Sequence, residues 1–163
     1  MIKPFEHGLH GRAQINADFF KGFSVRFCGI RSIRVQNHGK PQRTKIFKDR
    51  TKKLALRVIQ LTETLPHTRA ADVIAKQIIR SATSVGANYR AACRAKSTAD
   101  MIVKLKIVEE ESDETIYWLE LLLKSKNLSH DEISELMKET NEILAMTVAS
   151  IKTLRARLSN RKS

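Results

Sequence analysis

Proline and glycine are scarce in this chain. It holds three Pro and six Gly, and every Gly but one precedes residue 40. The stretch beyond residue 45 is therefore almost free of helix breakers. Aromatics make up only 6%. Leu, Ile, Val and Ala supply most of the apolar content, which suits helices. Cysteine occurs twice, as Cys28 and Cys93, in different regions. That is no disulfide framework, and it fits a reducing cytosol. A cytoplasmic location is expected. No apolar run approaches the ~20 residues that span a bilayer, so no membrane role is expected. The N-terminus lacks the charged-then-apolar order of a secretory signal. Its Arg-rich, acid-poor character is faintly like an organelle transit peptide, but without clear amphipathicity.

What is abundant is positive charge. The formal net charge is +13 over 163 residues. Residues 1–45 hold nine Lys/Arg and two acids, a net of +7. Residues 46–163 hold 21 Lys/Arg and 15 acids, a net of +6. A pI near 10.1 favours polyanions such as RNA or DNA, because neutralised phosphates release counterions. Charge alone equally allows a basic protein with no specific partner.

Composition changes near Thr44. Before it, Val25, Phe27, Ile33 and Val35 alternate with Arg26, Arg31 and Arg34, with Cys28-Gly29 near a turn. A short strand pair is conceivable, but a lone hairpin is marginal in water. A poorly ordered basic extension over residues 1–45 is the favoured expectation. His7, His10, Cys28 and His38 match no structural zinc spacing, so no metal site is expected.

From Ile46 the pattern is helical. Phe47, Thr51, Leu54, Val58, Leu61 and Leu65 alternate spacings of four and three, which predicts a helix over 46–64 stopped by Pro66. A second helix is predicted over 70–94. At about 100° per residue, Ile74, Ile78, Ala82, Val85, Tyr89 and Ala92 share one face. Lys76, Arg80, Thr83, Ala87, Arg90 and Arg94 share the opposite one. Gly86 inside this helix suggests close approach of another backbone. Ser81, Ser84 and Asn88 are expected to bond across helices or face a groove.

Ser97 with Asp100 resembles a capping box opening a third helix over 99–125. Met101, Leu105, Val108, Ser112, Ile116, Leu119 and Leu123 form one stripe. Val103, Ile107, Glu110, Glu114, Tyr117 and Leu121 form a second, almost opposite. A helix apolar on two faces cannot bury both in a bundle of four. One stripe should serve the core and the other a subunit contact, with Glu110 and Glu114 needing partners if buried. Ser129-His130-Asp131-Glu132 caps a fourth helix, whose stripe is Ile133, Leu136, Thr140, Ile143, Thr147, Ile151, Leu154 and Leu158. Short connections make the helices alternate in direction. The expected fold class is all-α: an antiparallel up-down-up-down four-helix bundle over 46–158, with a basic extension at 1–45 and a basic tail at 159–163.

Catalytic constellations are missing. No phosphate-cradling Gly-rich loop occurs, and di-iron Glu-x-x-His pairs fail because helices two and three carry no His. Glu110, Glu111, Asp113 and Glu114 read as a charged helix face rather than an acid–base pair. Cys93 has no neighbouring His and reads as a small packed residue rather than a nucleophile. Tyr117 and Trp118 diverge by about 100° and cannot form one stacking platform for bases. No catalytic residue, cofactor or small-molecule substrate is expected, and the protein reads as non-enzymatic.

Ser84–Ser97 (SVGANYRAACRAKS) and Lys104–Leu122 (KLKIVEEESDETIYWLELL) resemble the small bacterial four-helix-bundle proteins related to ribosomal-RNA intervening-sequence proteins. The accessory variability determinant of diversity-generating retroelements is a relative of that family. The likeness spans Ile46 to Leu154. Its most specific parts are Val85-Gly86-Ala87-Asn88 and the run from Asp113-Glu114-Thr115 to Leu119-Glu120. It implies a homopentameric ring with a basic surface. It also implies association with RNA, DNA or a reverse-transcriptase-like ribonucleoprotein rather than catalysis. Residues 1–45 have no counterpart in it.

Two readings follow. In one, Lys76, Arg80, Arg90 and Arg94 contact phosphates, or else carboxylates such as Glu110 and Glu114 of the next subunit. Val103, Ile107, Glu110, Glu114, Tyr117 and Leu121 then form the subunit contact. In the other, the chain is a structural or adaptor oligomer that grips a protein partner and meets nucleic acid incidentally.

Overall fold

The computed structural model describes residues 40–124 and 130–160. The conceivable strand pair, His7, His10, Cys28, His38 and Ser129 fall outside them. The fold is an all-α four-helix bundle: α1 (Lys40–Glu63), α2 (Arg69–Ala92), α3 (Thr98–Lys124) and α4 (His130–Ser159). No strand occurs among the described residues. Connections are short and successive helices run antiparallel. α1 packs chiefly on α2, α2 on α3 and α3 on α4, while α4 and α1 meet more thinly.

Helix limits depart slightly from the periodicity. α1 begins at Lys40 rather than Ile46. Pro41 falls in its first turn, where a missing N–H has no carbonyl to lose, and nothing from Gln42 to Lys45 breaks a helix. α2 opens one residue early because the Thr68 hydroxyl accepts from the Ala71 N–H at 3.2 Å. This cap satisfies an otherwise orphaned donor. The box at α3 is skewed. Ser97 Oγ accepts from the Asp100 N–H at 3.1 Å, but Asp100 reaches back to the Lys96 N–H at 2.9 Å.

The expected stripes of α1, α2 and α4 face the core. Leu54, Val58, Leu61, Ile78, Val85, Ile133, Leu136 and Ile143 are all fully buried. Phe47 and Tyr89 stack with ring centroids 4.1 Å apart, fixing the start of α1 against the close of α2. In α3 the core stripe differs from the expected one. Thr115 and Leu122 are buried, whereas the periodicity predicts Ile116 and Leu123, which are part-buried. The run 108, 112, 115, 119, 122 alternates fours and threes, which keeps a stripe facing one seam. The run 112, 116, 119, 123 drifts toward α3's outer flank.

Buried serine and threonine hydroxyls are satisfied locally. Ser112 donates to the Val108 carbonyl, Thr140 to Leu136, Thr147 to Ile143 and Ser150 to Met146, all at 2.7–2.8 Å. Thr and Ser thus enter the core without orphaned groups. Ser81 alone crosses a seam, accepting from Thr115 Oγ1 at 2.9 Å. Asn88 instead bonds within its own helix, to the Ser84 carbonyl at 3.0 Å.

Candidate nucleic-acid and subunit interfaces

The face of α2 opposite its buried stripe carries Lys76, Arg80, Thr83, Ala87 and Arg90, with Arg94 just past the helix end. All six are exposed. The stripe arises because residues seven and eleven apart on a helix return to the same side. Lys76, Arg90 and Arg94 form no ion pair among the described residues. Arg80 does: its Nη2 donates to Glu114 Oε1 of α3 at 2.6 Å, and its Nε donates to Gln77 Oε1 at 3.2 Å. The carboxylate partner of Arg80 lies in its own chain.

Glu114 also accepts from Trp118 Nε1 at 3.1 Å. The indole is part-buried against the core, and Tyr117 meets it edge-on with ring centroids 5.0 Å apart and planes at 68°. Beside this cluster sits Glu111, whose Oε2 is shut away from solvent with no hydrogen-bond partner among the described residues. Burial pushes the Glu111 carboxyl up; Glu114 and Glu110 push the same way, and Arg80 opposes them. Sequence spacing flagged Glu111 only as one of a carboxylate group.

The outer face of α3 is open. Val103 is 60% and Tyr117 53% exposed, Glu110 is exposed, and Ile107, Glu114 and Leu121 are part-buried. None of Val103, Ile107, Tyr117 and Leu121 packs on the core. Isolated exposed apolar residues are ordinary, and here two of the row, Val103 and Tyr117, are exposed on one face of α3.

A third feature escaped the sequence. Arg50 of α1 reaches α4, donating from Nε to Glu139 Oε1 at 2.7 Å and from Nη2 to Glu139 Oε2 at 2.8 Å and Glu142 Oε2 at 2.7 Å. The Glu139 bond leads in holding Arg50 charged more firmly than usual; Glu142 adds to it and burial works against both. Arg57 repeats the theme with Glu135 at 3.0 Å. These long side chains bridge the thin α1–α4 seam. Nothing in spacing pairs residues 78 to 92 apart, so no local signal could have found them.

Among the described residues no three His, Cys, Asp or Glu gather to hold an ion. No helix there is long and apolar enough to cross a membrane.

The family model for the 23S rRNA-intervening sequence protein matches residues 43–149. The chain belongs to this family. The match runs from the first turns of α1 into α4, so it covers most of the bundle core and leaves Ile151 and Leu154 beyond it. Among solved structures, the chain is similar to a protein with unknown function from the S23 ribosomal protein family of Bacteroides thetaiotaomicron. The two are 37% identical, the alignment covers 67% of this chain and 97% of the other, and the TM-score is 0.62. No curated protein matches. Family membership agrees with the resemblance carried by Val85-Gly86-Ala87-Asn88 and the Asp113–Glu120 run.

Proposed function

We propose that this family member is a non-enzymatic, ring-forming bundle that associates with RNA or DNA through its basic surface. The observation that carries the reading is the exposed α2 stripe, in which Lys76, Arg90 and Arg94 have no ion-pair partner among the described residues. Unpaired cations at a surface attract phosphates and release their counterions, so affinity should fall steeply with salt. A name that links the family to a 23S rRNA insertion supports a nucleic-acid setting. The open α3 face supplies the subunit contact, and the family likeness makes five copies the expected number.

The test uses nuclease-treated full chain. Its mass in solution should be a multiple of 18.5 kDa, and it should bind labelled RNA or DNA with salt-dependent affinity. Replacing Lys76, Arg90 and Arg94 by Ala should weaken binding without changing the mass. Undiminished binding in that variant would sink the assignment of these residues.

A second reading, an adaptor that grips a protein, is favoured by the exposure of Val103 and Tyr117. Under it, a partner is retained after nuclease treatment and no salt-steep nucleic-acid binding is seen.

A further inference from the structure

Alternation of direction brings the first turns of α1 and α3 and the last turns of α2 and α4 to one end of the bundle. The Phe47–Tyr89 stack fixes that register. Residues 42–48, 89–107 and 145–160 build this end, and they hold eleven Lys/Arg and one acid, Asp100. That acid is already engaged, accepting from Lys104 Nζ at 2.7 Å. The opposite half, residues 54–82, 112–124 and 130–142, holds six Lys/Arg and ten acids. The molecule is therefore polar along its axis. Lys76 and Arg80 lie in the acidic half, and Arg90 and Arg94 in the basic one.

We propose that the basic end, rather than the flank of α2, is the docking surface, and that it seats the phosphate backbone of a nucleic-acid duplex. This rests on the nucleic-acid reading above and relocates its contact. Lys45, Arg90, Arg94, Lys96, Lys106 and Arg155 are exposed there, and none of the six side chains is in an ion pair among the described residues. They come from all four helices and the α2–α3 connection, so the charge covers an area instead of a line. Four helices, each ~10–12 Å across, spread it over about 20 Å. Two phosphate rows flanking a groove ~12 Å wide fit such an area, whereas a single strand would use only part of it. Ile46 and Val103 are the large apolar side chains exposed at this end, set among six exposed cations, so charge outweighs insertion into a lipid surface.

The sequence flanking the bundle is basic as well. Residues 1–39, joined to the start of α1, carry six Lys/Arg and two acids, and Arg161 and Lys162 follow α4. In a cyclic assembly whose axis ran along the bundles, all the basic ends would share one face and their fields would sum.

The experiment titrates nuclease-treated full chain against a DNA duplex, an RNA duplex of the same sequence, each single strand, and phosphatidylserine vesicles, over a range of salt. Two variants are compared: Arg94→Ala with Lys106→Ala and Arg155→Ala at the end, and Lys76→Ala with Arg80→Ala on the flank. All five positions are exposed, and circular dichroism confirms folding. The expected result is duplex binding above single-strand or vesicle binding. On the DNA duplex, the end variant should lose about 2.7 from the slope of log affinity against log salt, at ~0.9 per lost phosphate contact. The flank variant should keep its slope. Loss in the flank variant alone, or an unchanged slope in the end variant, overturns the basic end while leaving nucleic-acid association standing. Tighter binding of single strands than of duplex has the same consequence. Tighter binding of vesicles, or no nucleic-acid binding by the unaltered protein, overturns both.

Discussion

Arg80 and Glu114 meet at 2.6 Å across the α2–α3 seam of a single chain. The pair joins the basic face of one helix to the open face of the next. Its energy is small, because Arg80 is 58% exposed and exposed ion pairs contribute roughly 0.2–1 kcal/mol. A double-mutant cycle of Arg80→Ala and Glu114→Gln, followed by urea unfolding, should return a coupling within that range. A coupling of several kcal/mol would show that solvent screens this seam far less than its exposure implies.

Arg50 should matter more. It forms two bonds to Glu139 and one to Glu142, and its side chain is only 25% exposed. Removing the guanidinium leaves two part-buried carboxylates facing each other. Arg50→Ala should cost about 1–2 kcal/mol, against under ~1 kcal/mol for Arg57→Ala, whose partner Glu135 is 71% exposed. Equal costs for the two would mean that the bridge is energetically idle.

Gly86 offers a gain in stability. A methyl group built on it meets Thr51 Oγ1 at 3.6 Å and Thr51 Cβ at 3.7 Å, ordinary contact distances. Close approach therefore leaves room for one carbon. Gly86→Ala should stabilise the bundle by about 0.5–1 kcal/mol, since Gly inside a helix loses more backbone freedom on folding. A lower melting temperature in this variant would show that the site is tighter than its geometry.

Glu111 gives a pH dependence of definite sign. Its folded carboxyl is raised above the ordinary 4.5, so the folded chain holds this proton more tightly than the unfolded one. Stability attributable to Glu111 falls as pH rises from 4.5 through the raised folded value, and the penalty is fully present at higher pH. Glu111→Gln should therefore unfold at higher denaturant than the parent at neutral pH, and the advantage should shrink as pH drops toward 4.5. A constant difference across pH would detach the effect from titration.

Val103→Asp combined with Tyr117→Asp should lower the solution mass toward 18.5 kDa while helicity persists. Both side chains are more than half exposed, so the monomer loses almost nothing. Two charges buried in a subunit contact carry a heavy desolvation penalty. A variant that unfolds instead would place these residues in the monomer's own core.

Helix number, order, direction and three of the four core stripes were determined by the sequence itself. Pattern sufficed there because burying apolar surface is the largest favourable term, and Leu54, Val58, Ile78, Val85, Ile133 and Ile143 repeat at the spacing that turns one side inward. The all-exposed row from Lys76 to Arg94 was legible for the same reason: an opposite face follows once the buried one is known. Tertiary structure alone decided the rest. It chose Thr115 over Ile116 for the core because alternating steps of four and three keep 115 on the seam, and position outweighs apolarity there. It paired Arg50 with Glu139 and Arg80 with Glu114, contacts of 89 and 34 residues in separation that no local pattern encodes. It also gathered charges from four helices into one basic end. Each helix carries only part of that charge, and antiparallel packing is what adds the parts together.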